Sequence, residues 1–150
     1  MQKTFLSISE DQTSQIAEKI AQIAKKGDVF ALHGNLGVGK SVFARAFIKK
    51  LTHAKEVPSP TFTLVQEYEA SNFSIFHFDL YRLKSPDEVF EIGFEEAVYG
   101  GVSLIEWPEK AGSWMPKDIF NVFISSIGNE RSIVIDAFSD DKISRLEQIE

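Results

Sequence analysis

Residues 34–41 read GNLGVGKS, and this stretch decides the fold. Gly34, Gly39, Lys40 and Ser41 fill the four fixed places of G-x-x-x-x-G-K-[ST] without a mismatch. At average residue frequencies such a match arises by chance in about half a percent of chains this long. Each residue type answers a physical demand. Glycines let backbone amides turn inward around phosphate oxygens without a Cβ in the way, and a following helix N-terminus adds partial positive charge. Lys40 offers a mobile cation for β and γ phosphates, and the Ser41 hydroxyl can ligate Mg²⁺. The flanks supply the required setting. DVFALH (28–33) is a compact apolar run that reads as a strand buried on both faces, and a helix over about 40–52 follows the loop directly.

Working outward, TFLSIS (4–9) suits a short edge strand. Ser9 and Gln12 have capping-box spacing, and Ile16, Ile20 and Ile23 form a helical stripe that Gly27 is expected to stop. The two prolines of KEVPSPT (55–61) demand a loop. FTLVQEYE (62–69) and FSIFHFDLY (73–81) read as a hairpin about Ala70, Ser71 and Asn72. Residues 85–98 start as a helix with Pro86 and acidic residues, then break near Gly93. VSLIE (102–106) is another buried strand, and residues 107–116 are loop or one helical turn. IFNVFISSI and RSIVIDAF pair around Gly128 and Asn129, and the last dozen residues suit a helix.

The 150 residues, 43% of them hydrophobic, favour one domain spanning 1–150 with a sizeable core. No stretch is long and apolar enough for a membrane span or a signal peptide, so a cytoplasmic protein with no membrane partner is expected. Cysteine is absent, which excludes disulfides, thiolate metal sites and Cys nucleophiles. A net charge of −6 argues against gripping nucleic acid through the chain's own charge. Thirteen Phe stand against three Tyr, and Phe62, Phe76 and Phe78 are assigned to core filling.

Other positions must define the chemistry. No N-K-x-D guanine reader is present, which favours adenine. Glu106 closes a buried strand, where a second magnesium ligand belongs; the alternative is a solvated loop acid. Asp79 also closes an apolar strand, and either holds magnesium or an attacking water, or pairs with Arg82. Thr61 and Thr63 follow the proline loop, as a segment sensing the γ phosphate would; otherwise they are ordinary strand hydroxyls. Trp107 reads as a lid near the nucleotide or as packing against Pro108. His77 points opposite to Phe76 and Phe78 and reads as a hydrogen-bonding histidine in preference to a catalytic base. Spacing selects none of Arg45, Arg82, Arg131 and Arg145 for transition-state charge.

Four segments together, GNLGVGKS (34–41), SPTFTLVQEY (59–68), FHFDLYRL (76–83) and LIEWPEK (104–110), closely resemble the TsaE family, also called YjeE, the small ATPases of bacterial tRNA threonylcarbamoyladenosine biosynthesis. The resemblance spans about residues 9–110. It implies an α/β, three-layer P-loop NTPase fold whose mostly parallel central sheet is extended by antiparallel strands. It further implies that Gly37, Val38, Gly39, Lys40 and Ser41 bind ATP phosphates, with ADP as product, and that Ser41 and Glu106 sit at Mg²⁺. Asp79 is implied in hydrolysis beside Lys40 and Glu106, and Thr61 in a switch-like region. Trp107 matches the tryptophan after the magnesium acid, Thr13 a threonine near the base, and Arg131 a residue approaching from the tail. Many members have Thr where this chain has Ser41; both carry the hydroxyl.

The resemblance implies action on the TsaB–TsaD complex, with tRNA contacted only indirectly. Two other readings share the nucleotide site: a small-molecule P-loop kinase, and a nucleotide-gated binding module without essential hydrolysis.

Overall fold

Alternation along β2 (Val29–His33) sends Phe30 and Leu32 to one face and Val29 and Ala31 to the other, and all four are buried. A strand apolar on both sides must lie inside a sheet covered on both faces. The computed structural model describes residues 1–150, with this strand central to a seven-stranded sheet. The chain runs β1 (Gln2–Ser7), α1 (Glu10–Ala21), β2, α2 (Lys40–Leu51), β3 (Val65–Glu69), β4 (Ser74–Asp79), a 3-10 helix (Pro86–Ile92), α3 (Phe94–Gly100), β5 (Val102–Glu106), a second 3-10 segment (Pro108–Trp114), β6 (Phe120–Ile127), β7 (Glu130–Asp136) and α4 (Asp140–Glu147).

Strand order is β1-β7-β6-β2-β5-β4-β3. The inner strands β6, β2, β5 and β4 are mutually parallel. Antiparallel pairing of β3 with β4, and of β7 with β6 and β1, extends them on both sides. The fold is α/β and three-layered, as the resemblance implied. One core packs α1, α2 and α4 on the face carrying Phe30, Leu32 and Leu104, and a second packs α3 and the 3-10 segments on the face of Ala31, Phe78 and Ile105. No helix is long and apolar enough to cross a membrane.

Six of the thirteen phenylalanines are buried in these cores, where a Phe brings no hydroxyl to satisfy, while Phe62, Phe90, Phe123 and Phe138 are exposed. Phe30 stacks on Phe120 at 4.8 Å between centroids and meets Phe47 edge-on at 5.0 Å. Phe43, Phe47, Phe78 and Phe120 are likewise fully buried. Phe62 corrects the sequence reading: it is 81% exposed, with the Arg82 guanidinium 4.4 Å above its ring. The cause is local. The Leu64 amide donates to the Pro60 carbonyl at 2.7 Å and Leu64 takes φ 70°, so residues 61–64 turn and the strand begins at Val65, later than expected.

Helix α1 starts as read, with the Gln12 amide donating to Ser9 Oγ. It ends at Ala21, six residues before Gly27, because the Ile23 and Ala24 amides turn back to the Ile20 and Ala21 carbonyls. Gly27 serves the next turn, at φ 94°, with its amide on the Gly101 carbonyl. Residues 85–98 do break at Gly93, but the first half winds as a 3-10 helix.

Helix α4 is pinned to the start of β2 by a buried ion pair. Arg145 Nη1 and Nη2 donate to Asp28 Oδ2 and Oδ1 at 2.5 and 2.9 Å, and Nη1 also reaches the Ile23 carbonyl at 2.7 Å. Asp141 adds a further acceptor, and these carboxylates hold the Arg145 guanidinium above its usual pKa. Arg145→Met would leave the buried Asp28 carboxylate only the Lys25 amide at 2.8 Å and Lys142 Nζ at 3.9 Å. It is expected to lower stability by about 3–5 kcal/mol, measured as a lower denaturant midpoint at unchanged slope.

Candidate functional site

Helices normally satisfy their first amides with side chains and favour acidic residues there. Ser9 caps α1 ahead of Glu10 and Asp11, and Ser139 caps α4 ahead of Asp140 and Asp141. Helix α2 breaks the pattern. Its cap is Gly39 at φ 115°, no side chain bonds its amides, and its first turn holds no acid. An anion slot is thereby left open where the glycine-rich loop ends.

That slot opens into a cavity of about 440 Å³ lined by Thr13, Gly37, Val38, Gly39, Lys40, Ser41, Glu106 and Arg131 among others. Eight of the sequence candidates are therefore brought together. Thr13, 3% exposed, comes from α1 and shares a 2.7 Å hydrogen bond with Ser7 Oγ. Arg131 comes from β7 and donates through Nε to the Val38 carbonyl at 3.0 Å, tying the antiparallel extension to the loop.

The other three candidates stand just behind this lining. Parallel register sets Asp79 directly opposite Glu106 at the carboxyl ends of β4 and β5. Asp79 accepts from Thr61 Oγ1 at 3.1 Å and from the Tyr81 amide at 3.0 Å, and Thr61 Oγ1 also meets Ser59 Oγ at 2.7 Å. Asp79 makes no ion pair with Arg82, whose guanidinium lies on Phe62. Thr63 accepts only from Gln66. Trp107 adopts the left-handed backbone (φ 58°), a region costly for a bulky residue. This turn sets its ring 3.9 Å from Lys40 Nζ and 5.0 Å from the Tyr81 ring.

Burial pushes the Lys40 ammonium below its usual pKa, and the negative charges of Glu106, Asp79 and Glu109 oppose that shift. A cation set against an aromatic face and paired with no carboxylate at ion-pair distance is suited to phosphate oxygens. No group of three or more His, Asp or Glu side chains is gathered as a self-sufficient metal cage. The Ser41 hydroxyl and Glu106 carboxylate on one cavity instead fit a hard divalent ion that takes its remaining ligands from phosphate and water.

Sequence reasoning missed Ser7, Glu10 and Asn129, which also line the cavity. Their only signal was position, at the end of β1, the start of α1 and the β6–β7 turn. It also left His77 without a partner; Nε2 of this buried imidazole donates to Glu106 Oε2 at 2.7 Å.

The sequence model of the family described as "Threonylcarbamoyl adenosine biosynthesis protein TsaE" matches residues 7–133. The chain belongs to the TsaE family. A tRNA threonylcarbamoyladenosine biosynthesis protein TsaE of Rickettsia conorii is 43% identical over 126 residues, 83% of this chain and 72% of the relative. That of Bacillus subtilis is 35% identical over 138 residues, 91% and 86% of the two chains. The crystal structure of Bacillus subtilis YdiB superposes with a TM-score of 0.81 at 28% identity, covering 99% of this chain and 94% of that one. TsaE membership places the chain in tRNA threonylcarbamoyladenosine biosynthesis, with a nucleotide-binding P-loop.

Within this TsaE loop, Gly34 is the tightest position. A Cβ there would stand 2.5 Å from the Ile124 carbonyl oxygen and 2.7 Å from Val38 Cγ1. Gly27 has a similar need for positive φ but meets nothing within 4 Å. Gly34→Ala is expected to lose about 1–3 kcal/mol more than Gly27→Ala, compared by chemical denaturation.

Proposed function

We propose that the chain is a single-domain, Mg²⁺-dependent ATPase that serves threonylcarbamoylation of tRNA by acting on the TsaB–TsaD pair. The observation carrying this reading is the one cavity shared by the uncapped start of α2, Lys40, Ser41 and Glu106. Amides from Gly37 to Ser41 and the Lys40 ammonium would cradle the phosphates, Thr13 and Arg131 would flank the far end, and Ser41 with Glu106 would hold Mg²⁺. With Mg²⁺ bound there, Ser41 and Glu106 would place a positive charge that offsets the charge developing on the phosphate. Asp79, opposite Glu106, would orient the attacking water and accept its proton as the γ phosphate departs. Thr61, bonded to Asp79, ties the 58–63 loop to that carboxylate, so movement of the loop would be felt at the reacting end.

Of the four arginines only Arg131 lines the cavity, and two of its nitrogens are already donated to the backbone. Arg145 is committed to Asp28, Arg82 lies on Phe62, Arg131 Nε and Nη1 donate to the Val38 and Glu130 carbonyls, and Arg45 sits on a separate groove between α1 and α2. This favours slow hydrolysis alone and acceleration by a partner. The test is ATP turnover with and without purified TsaB–TsaD. Stimulation by the pair is expected, and equal rates would sink partner activation. Lys40→Ala should lower turnover on the order of 10²–10³-fold, and full activity in that variant would overturn the site.

A further inference from the structure

We infer that His77 is a positioning residue for Glu106, fixing the carboxylate from behind the cavity. The inference rests on the proposed role of Glu106 as a magnesium ligand. His77 lies on β4 between Phe76 and Phe78, turned to the opposite face, and is 2% exposed. It does not line the cavity. Its Nε2 donates to Glu106 Oε2 at 2.7 Å, with both side chains buried. A carboxylate accepts and never donates, so the hydrogen is on Nε2. Nδ1 is buried and has no partner.

A histidine kept for packing would satisfy both ring nitrogens or be replaced by an apolar residue, as its neighbours at 76 and 78 are. Here the imidazole tolerates an unpartnered Nδ1, and its one polar contact is Glu106. The register makes the contact robust. His77 stands opposite Leu104 in the parallel pair, and Glu106 is two residues further along β5 on the same face. The ring thus reaches forward to Glu106 from a rigid strand. One carboxylate oxygen is occupied by the core, and the group is left one orientation in which to meet a cation beside Ser41. Glutamate otherwise has three rotatable bonds, and a metal ligand free to rotate binds more weakly because its entropy is lost on binding.

The test uses the purified full chain and a fluorescent ADP analogue, titrated in EDTA and at increasing Mg²⁺. His77→Gln places an amide nitrogen near Nε2; His77→Asn places one near Nδ1, where no acceptor waits. The two are alike in polarity, so a purely structural role would move both alike. His77→Asn is expected to raise the half-saturating Mg²⁺ about 10–100-fold, with His77→Gln close to wild type and affinity in EDTA unchanged in both. Equal behaviour of the two variants, or an equal loss in EDTA, overturns the inference. Wild-type binding indifferent to Mg²⁺ would instead overturn the magnesium role of Glu106 itself. A measurement without substitution reads the same point: the wild-type His77 Nε2 resonance should move when Mg²⁺ joins bound ADP, and an unmoved signal counts against the role.

Discussion

Parallel pairing of β2 with β5 sets Leu32 opposite Glu106, and pairing of β5 with β4 sets Glu106 opposite Asp79. From this register the rest of the site follows. A parallel pair delivers the carboxyl ends of its strands to one edge, so the loop leaving β2 and the two acids ending β5 and β4 must meet there. The two-sided core enforces it. A one-residue slip of β5 would drive Leu104 and Glu106 to the face held by Ile105 and bury a carboxylate among apolar side chains. Chemistry at this edge is therefore fixed by packing far from it.

The site gathers one cation and two carboxylates in a chain that is acidic as a whole. Lys40, Glu106 and Asp79 are each nearly buried, and such charges persist only when paired or hydrogen-bonded. Asp79 is satisfied by Thr61 and the Tyr81 amide and Glu106 by His77, whereas Lys40 pairs with no carboxylate at ion-pair distance and rests against the Trp107 ring. Each group is held by a different segment of chain. The site is consequently a junction between the sheet, the proline loop and the segment after β5.

The sequence made most of this junction legible because its residues obey local rules. Gly39-Lys40-Ser41 after an apolar run specifies strand, loop and helix together, and Asp79 and Glu106 declare themselves as acids ending apolar strands. The central strands were legible for the same reason. What stayed hidden depends on contacts remote in sequence. Arg131 was named by resemblance alone, since its hold on Val38 crosses 93 positions, and Ser7 meets the cavity only because β1 joins the far side of β7. Phe62 misled because composition favours burial, while the turn ending at Leu64 carries it outward. The clasp of Arg145 on Asp28 spans 117 positions and leaves no periodic trace.

The strained backbone at Trp107 bears on how the lysine behaves before any anion arrives. With its ring 3.9 Å from Nζ, the indole face stands in for part of the water that burial has removed from the ammonium. Anion capture at the loop is then an exchange of partners and not a simple addition, since oxygen atoms compete with a π cloud for the same cation. An indole holds a cation by only about 0.5–2 kcal/mol, less than a charge-assisted hydrogen bond to an anion supplies. An incoming anion would therefore take the place of the Trp107 ring on the same ammonium.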